Sequence, residues 1–400
     1  MTDKGHGTDI RHGTLKLYYE DAYRTEFEAA VLDCSYSDKQ KCWLVELDQS
    51  CFYPEGGGQP ADEGVILAGD KEIRVKDVHE QAGRIFHYCE SAIEPGTKVL
   101  GRIDWERRFD HMQQHSGEHI ISGMICSRYD CDNVGFHMGH DIVVIDYNAS
   151  ISWEHILEIE AEANRYIWED HALKVLWPSA EELKDLQYRS KIELEGDVRI
   201  VSFPGADMCA CCGTHVNTSG QVGLLKVLSA QKIAKGTRFE LVCGKRALQY
   251  LTMNWEQNRA IGVSMAASLD KTAAVYEKQK QELIDAKMKL AEMEKYYLAS
   301  VAEEYAGAGD VLLIRDSLSS DSLRRLTVMI GDRCGGSCAV FAGAGKEYKY
   351  ALLDKSLEPK AFSEKVKALN AALNGRGGGR DGFAQGSLQA GEKEIRAFFA

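Results

Sequence analysis

Two hydrophobic rhythms run along the chain, and the change from one to the other divides it. Between residues 14 and 100, short runs alternate apolar and polar positions: Phe27 to Leu32, Cys42 to Leu47, Val65 to Leu67, Ile73 to Val78 and Arg84 to Tyr88. Glycines and acidic turns break them. A period of two points one face of each run inward, so the pattern predicts a small antiparallel barrel or sandwich, a β-barrel-like domain over 1–100. From Trp105 to Met124 the period becomes helical. In residues 151–170, Ile156, Ile159, Ala163 and Ile167 recur on one face at steps of three and four, which predicts a second helix and an α+β domain over 101–252.

Between Trp255 and Tyr305 the composition shifts to Lys, Glu, Ala, Met and Leu. Leu283, Ala286, Leu290, Met293 and Tyr297 alternate steps of three and four, as in a coiled-coil hairpin or dimer stalk over 253–306. An amphipathic helix packed on its own domain has the same pattern. After Gly307 and Gly309, the runs 311–314, 326–330 and 339–343 read as buried strands, alternating with helices at 319–325 and 360–373. A small α/β domain over 307–400 is expected, which makes the chain an α+β multidomain protein.

The overall composition narrows the class. With 400 residues, 44% hydrophobic and 27% charged, the chain has an ordinary globular balance, which excludes disorder throughout. No apolar run approaches the ~20 residues that span a bilayer. The opening MTDKGHGTDIRHG is polar where a secretory signal has an apolar core, so a cytoplasmic protein with no membrane partner is expected. Twelve cysteines are too sparse for a disulfide scaffold and turn attention to metal binding. The net charge of −13 argues against polyanion binding by the whole surface, but its distribution is uneven. Residues 321–400 hold 13 Lys/Arg against 9 Asp/Glu, and residues 226–246 hold Lys226, Lys232, Lys235, Arg238, Lys245 and Arg246 against Glu240 alone. Both are candidate polyanion surfaces, with solvated surface cations as the plainer reading.

The strongest chemical signal is HMQQHSGEHI at 111–120. On a helix His115 and His119 stand one turn apart on one face, the spacing by which two imidazoles reach one metal ion. His111 shares that face, so the pair could be misread by one turn. The partners are in MCACCGTHV at 208–216, where Cys211 and His215 form C-x-x-x-H and Gly213 lets the chain turn. Cys209 and Cys212 compete for the thiolate position. Three imidazoles and a thiolate favour one zinc ion per chain. Closing the 92-residue separation of His119 and Cys211 costs roughly 4 kcal/mol of chain entropy. A structural zinc site returns roughly 10–16 kcal/mol.

HSGEH also reads as the inverted metalloprotease motif H-x-x-E-H, with Glu118 as general base and Glu193 or Glu195 as third ligand. That reading leaves the Cys-His motif without a purpose. A third feature, CFYPEGGGQPADEGVI at 51–66, offers backbone amides at Gly57 and Gly58 and the two-way hydrogen-bonding head of Gln59, with the Ser50 hydroxyl just before it. At the far end NGRGGGRDGFAQGSLQ reads as a glycine loop in which Arg376 and Arg380 could neutralise a phosphodiester backbone.

Together these segments resemble the AlaX family, free-standing alanyl-tRNA editing proteins related to the editing domain of alanyl-tRNA synthetase. FYPEGGGQPADEG, HSGEH, GFHMGHD at 135–141 and CCGTH occur in family order. The 255–305 stretch and GRGGGRDGFAQGS look like the helical hairpin and C-terminal domain of the synthetase, as in long-form AlaX. The resemblance implies a trans-editing hydrolase that deacylates tRNA(Ala) mischarged with serine or glycine at a zinc site of His115, His119, Cys211 and His215. It implies catalytic roles for Ser50, Gly57, Gly58, Gln59 and Glu118, with the Ser50 position linked to amino-acid discrimination; the two cation-rich regions supply the expected tRNA contacts at Lys235, Arg238, Arg376 and Arg380. A homodimer through the stalk or the C-terminal domain is also expected. The family often has threonine at Ser50 and Gln or Thr at Glu118. The competing reading is a zinc-containing tRNA-binding module without catalysis.

Overall fold

The alternating runs of the first hundred residues close on themselves. In the computed structural model, which describes residues 13–190 and 197–400, six strands form a barrel: β1 (Glu26–Ser37), β2 (Cys42–Leu47), β3 (Gly64–Ala68), β4 (Lys71–Gln81), β5 (Arg84–Cys89) and β6 (Lys98–Ile103). Their order is β1-β2-β5-β4-β3-β6, and β6 returns to β1. Every neighbouring pair is antiparallel. The inward set includes Val45, Leu47, Ile66, Val75 and Ile85, all buried, and Val78, three residues past Val75, is brought back inward by the irregularity between Val75 and Asp77.

The chain leaves the barrel at Asp104, whose carboxylate caps the next helix by accepting from Arg107 N. That helix, α1 (Trp105–Tyr129), is followed by β7 (Asn133–Met138), β8 (Val143–Tyr147) and α2 (Trp153–Trp168). Ile156, Ile159, Ala163 and Ile167 are all buried on one face of α2. Two sheets complete the region. One joins β9 (Lys174–Leu176), β10 (Ile200–Phe203) and β11 (Asp207–Ala210); in the other, β12 (Leu225–Ile233) and β13 (Gly236–Cys243) extend β8 and β7. Barrel and α+β region belong to one compact unit, Met1–Arg259. A buried ion pair ties them: Arg108 of α1 binds Asp62 and donates to Cys51 O at 2.6 Å, while Asp62 accepts from Tyr53 N at 2.7 Å. Both ends of the glycine-rich segment are thereby fixed to the helix that carries the histidines.

The second unit is Ala260–Ala400. Of the helices α3 (Gly244–Ser264) and α4 (Thr272–Glu303), α4 ends by burying Leu298, Val301 and Ala302 in the core of this unit. Leu283, Leu290, Met293 and Tyr297 are each more than half exposed, so this stretch does not pack on its own core. A five-stranded sheet follows, in the order β14 (Gly309–Arg315), β15 (Gly335–Ala344), β16 (Glu347–Leu353), β18 (Phe383–Gln389), β17 (Gly375–Arg380). Only β14 and β15 run parallel.

Two expectations are corrected here. The run 326–330 is not a strand but the second half of helix α5 (Ser320–Gly331), with Leu323, Leu326, Thr327 and Ile330 buried at helical spacing. GRGGGR is not a loop but edge strand β17, because its glycines let it lie close to β18 and under Tyr350. The expected helix at 360–373 is present as α6 (Pro359–Ala372). Among the described residues no helix is long and apolar enough to cross a membrane. The polar stretch at residues 1–12, and Glu193 and Glu195, lie outside the described residues.

Candidate metal centre

Helix α1 presents His115 and His119 one turn apart, each 2% exposed. It can lie close to its neighbours because it is small where they touch. A Cβ at Gly117 would overlap Cys243 Sγ, and one at Gly123 would overlap Ala206 O. Facing it, the chain after β11 turns through Gly213, where a Cβ would overlap the His115 ring. This close approach brings Cys211 Sγ to 3.5 Å from His115 Nε2 and 3.4 Å from His215 Nε2. One ligating atom from each of His115, His119, Cys211 and His215 lies within 4.8 Å of the others.

What surrounds the four residues fixes their chemistry. His115 Nδ1 stands 2.8 Å from Gln59 Oε1, which only accepts, so Nδ1 carries the proton and Nε2 is left for the cluster. His119 Nδ1 stands 2.8 Å from Asp207 Oδ2, and Asp207 is gripped by Arg189 at 2.7 and 2.9 Å. His215 Nδ1 meets Ser116 Oγ at 3.2 Å. Imidazoles whose outer nitrogens are held this way are oriented to bind a metal through Nε2. Burial alone would raise the Cys211 thiol, but the imidazoles of His115, His215 and His119 outweigh it and hold the group well below the usual thiol range. Burial alone would lower His119; the Cys211 sulfur and the Asp207 carboxylate raise it to about 9. A thiolate among three imidazoles is the donor set that zinc prefers.

The glycine-rich segment reaches this cluster. Gly57 and Gly58 have φ of +59° and +84°, with Gly56 and Gln59 paired across them, so they form the two-residue hairpin turn that demands glycine. Gly58 lies under Phe136, which stacks on His115 with ring centroids 5.3 Å apart. Gln59, fully buried, also donates to Thr214 Oγ1 at 2.8 Å and accepts from Thr214 N at 3.1 Å. One amide thus joins the barrel segment to both metal-ligating arms.

Glu118, also buried, accepts from Ser122 at 2.8 Å and Asn133 at 2.6 Å, with its other oxygen 4.0 Å from His119 Nε2. Ser50 sits elsewhere. Its hydroxyl meets His87 Nε2 at 2.7 Å and accepts from Phe52 N at 3.1 Å inside the barrel. His87 Nδ1 donates to Val45 O at 3.0 Å, so Nε2 is the acceptor and the Ser50 proton is already committed. Cys209 groups instead with His119 and Asp207, and Cys212 is exposed and outside the cluster. His111 is outside the cluster and leaves a buried Nδ1 with no partner.

The basic stretch 226–246 is largely neutralised. Lys226, Arg238, Lys245 and Arg246 pair with Glu160, Asp146, Glu106 and Asp110 at 2.6 to 2.8 Å. Lys235 is exposed in the β12–β13 turn, and Arg376 and Arg380 are exposed on β17. Gln59, Ser116 and Thr214 lie inside the sequence motifs, but Asp207 and Arg189 carry no spacing signal that would have marked them.

Two family models match the chain: tRNA synthetases class II (A) over residues 6–107, and the threonyl and alanyl tRNA synthetase second additional domain over residues 198–239. The chain is 30% identical to the alanyl-tRNA editing protein AlaX-L of Pyrococcus horikoshii, over 95% of this chain and 96% of that one. It is 27% identical to the alanyl-tRNA editing protein Aarsd1 of Mus musculus, over 92% and 93%. Against the alanine–tRNA ligase of Pyrococcus furiosus the identity is 30%, over 96% of this chain but 43% of the ligase.

Proposed function

The chain belongs to the AlaX family of alanyl-tRNA editing proteins, in its long form, and from that premise we propose that it hydrolyses in trans the aminoacyl ester of tRNA(Ala) mischarged with serine or glycine. The observation that carries the reading is the meeting of three segments at one point: the His115/His119 helix, the Cys211–His215 turn, and Gln59 of the glycine-rich hairpin bonded to both. This convergence also gives Cys211 and His215 the purpose that the protease reading denied them.

One zinc ion per chain fits the His115, His119, Cys211 and His215 donors, and when bound it supplies a Lewis-acidic charge that orients an ester or a water. The residues of the chain do the rest. The Gly57–Gly58 turn admits the substrate backbone closely, Gln59 and Asp207 keep the imidazoles in one tautomer, and Glu118 holds a buried carboxylate beside His119. Ser50 acts through Phe52 N, by fixing the entry to the glycine-rich segment, because its own proton is engaged by His87. Lys235, Arg376 and Arg380 are assigned to the tRNA backbone, whereas Arg238 is already held by Asp146. We assign the division 1–100 and 101–252 to editing, 253–306 to a stalk whose exposed seam pairs with a second copy, and 307–400 to tRNA binding or dimerisation, in a cytoplasmic protein.

The decisive experiment follows amino-acid release from seryl-, glycyl- and alanyl-tRNA(Ala). Serine release is expected to be fast, to stop with a chelator, and to return with zinc, while alanyl-tRNA(Ala) is spared. A zinc-loaded protein that binds tRNA but releases no serine would establish the non-catalytic binding module instead.

A further inference from the structure

Beside the metal-ligating cluster the Cys211–Gly213 turn wraps around a single guanidinium. Arg199, only 7% exposed, donates through Nη1 to Cys211 O at 2.8 Å and Gly213 O at 3.0 Å. It stands over the Tyr19 ring, 5.3 Å from its centroid, and its buried Nε–H has no acceptor. Burial raises the Tyr19 hydroxyl most, and Cys212 lies near enough to raise it further. Trp177 meets Tyr19 edge-on at 5.7 Å, with 73° between the rings, and is 46% exposed. Leu176 pairs with Ile200, so Trp177 directly follows β9 and Arg199 directly precedes β10.

A single exposed tryptophan needs no explanation. This one is braced by Tyr19, the ring that also underlies Arg199, a buried cation that holds the Cys211 carbonyl and keeps an unused donor. An unsatisfied buried donor is unfavourable, and an arriving acceptor would relieve it. The ligand that answers all of these features is an unpaired nucleotide. Its base stacks on an aromatic face irrespective of sequence, and its phosphate matches a guanidinium.

We propose that Trp177, Tyr19 and Arg199 form the subsite for the unpaired 3′-terminal nucleotide of the tRNA, the base on the Trp177 indole and the phosphate toward Arg199, so that the ester is presented to the His115/His119/Cys211/His215 cluster. This assignment rests on the editing function proposed above. Tyr19 is the brace, Trp177 the stacking surface, and Arg199 both the anion contact and the support of the Cys211 carbonyl.

The test uses the full-length, zinc-loaded protein. Trp177→Ala should raise KM for seryl-tRNA(Ala) by about 5- to 150-fold, with the effect in KM rather than kcat, and zinc content should match the unmodified chain. Trp177→Phe should restore most of the lost affinity, since a ring remains. Separately, binding is compared for an acceptor-stem RNA hairpin with its unpaired 3′ end intact and for the same hairpin lacking only the terminal base. The unmodified protein should prefer the intact end, and Trp177→Ala should not distinguish the two. Equal binding of both hairpins by the unmodified protein, binding of neither, or an unchanged KM in Trp177→Ala overturns the subsite. Absence of serine release from the unmodified protein, with the hairpin preference intact, counts against the editing reading and leaves the nucleotide subsite standing.

Discussion

Each imidazole of the metal centre has its outer nitrogen on one partner, so the partners are as testable as the ligands. Asp207→Asn keeps the shape but weakens the grip on His119, and zinc affinity should fall about 10- to 100-fold in a competition titration with a chelator. His119→Ala and Cys211→Ala should lose the metal outright by elemental analysis, while Cys334→Ala, in the C-terminal unit, should retain it. The motif spacings made the four clustered residues legible, because a helical i, i+4 pair and a Cys-x-x-x-His turn are local geometry. Asp207 and Arg189 were not legible, since nothing in the sequence says that β11 will lie along α1. The same holds for Ser50, whose partner His87 lies 37 residues away on barrel strand β5. Burial there lowers His87 from 6.5 to about 4. Between those values the unfolded chain binds a proton that the folded chain refuses. Stability from this site is therefore full above about pH 6.5 and declines as the pH falls toward 4, by up to about 3 kcal/mol. Urea unfolding at pH 7 and pH 5 should show a shallower decline for His87→Gln than for the unmodified chain. Parallel declines would remove His87 from the acid response.

At the scale of elements, the sequence was most readable where periodicity and burial agree. The barrel strands and α2 have one buried face each, and the hydrophobic pattern states it directly. It misled at residues 326–330, because a short apolar run suits a buried strand and the inner turn of a helix equally well. Only Leu323, one turn before the run, decides for α5, because with Leu326, Thr327 and Ile330 it makes a buried face at helical spacing. It misled again at GRGGGR, where glycines suggested a loop. In β17 they serve packing, and unequally. A Cβ at Gly377 would overlap Tyr350 and the β18 backbone, whereas one at Gly378 meets nothing within 4 Å. Gly377→Ala should thus destabilise the C-terminal unit by about 1–3 kcal/mol, as overpacking does. Gly378→Ala should be neutral or stabilising by about 0.5–1 kcal/mol, since it only restricts the unfolded chain. Equal melting temperatures for the two variants would contradict this account of the edge strand.

For the whole molecule, the question is how a chain of net charge −13 approaches a polyanion. Counting cations along the sequence pointed to two regions, but counting cannot see which cations are already matched. The folded chain separates them. In the 226–246 region four cations face carboxylates, including Arg238 held by both oxygens of Asp146 at 2.7 Å. On β17, by contrast, Arg376 and Arg380 are exposed on an edge strand, and Arg380 has its nearest ion-pair partner, Asp381, at 3.7 Å. A paired cation releases few counterions from a bound nucleic acid, because its charge is already offset; an unpaired one contributes about 0.9 to the slope of log affinity against log salt. Tritium-labelled tRNA(Ala) binding measured across a salt series should therefore show a slope reduced by about 0.9 for Arg376→Gln and for Arg380→Gln, and by about twice that in the double variant. Arg238→Gln should leave the slope nearly unchanged. If the double variant keeps the slope of the unmodified protein, the C-terminal sheet does not carry the tRNA, and its role passes to pairing with a second copy; if Arg238→Gln lowers the slope as much as Arg376→Gln, the Asp146 pair opens on binding and the first unit shares the contact.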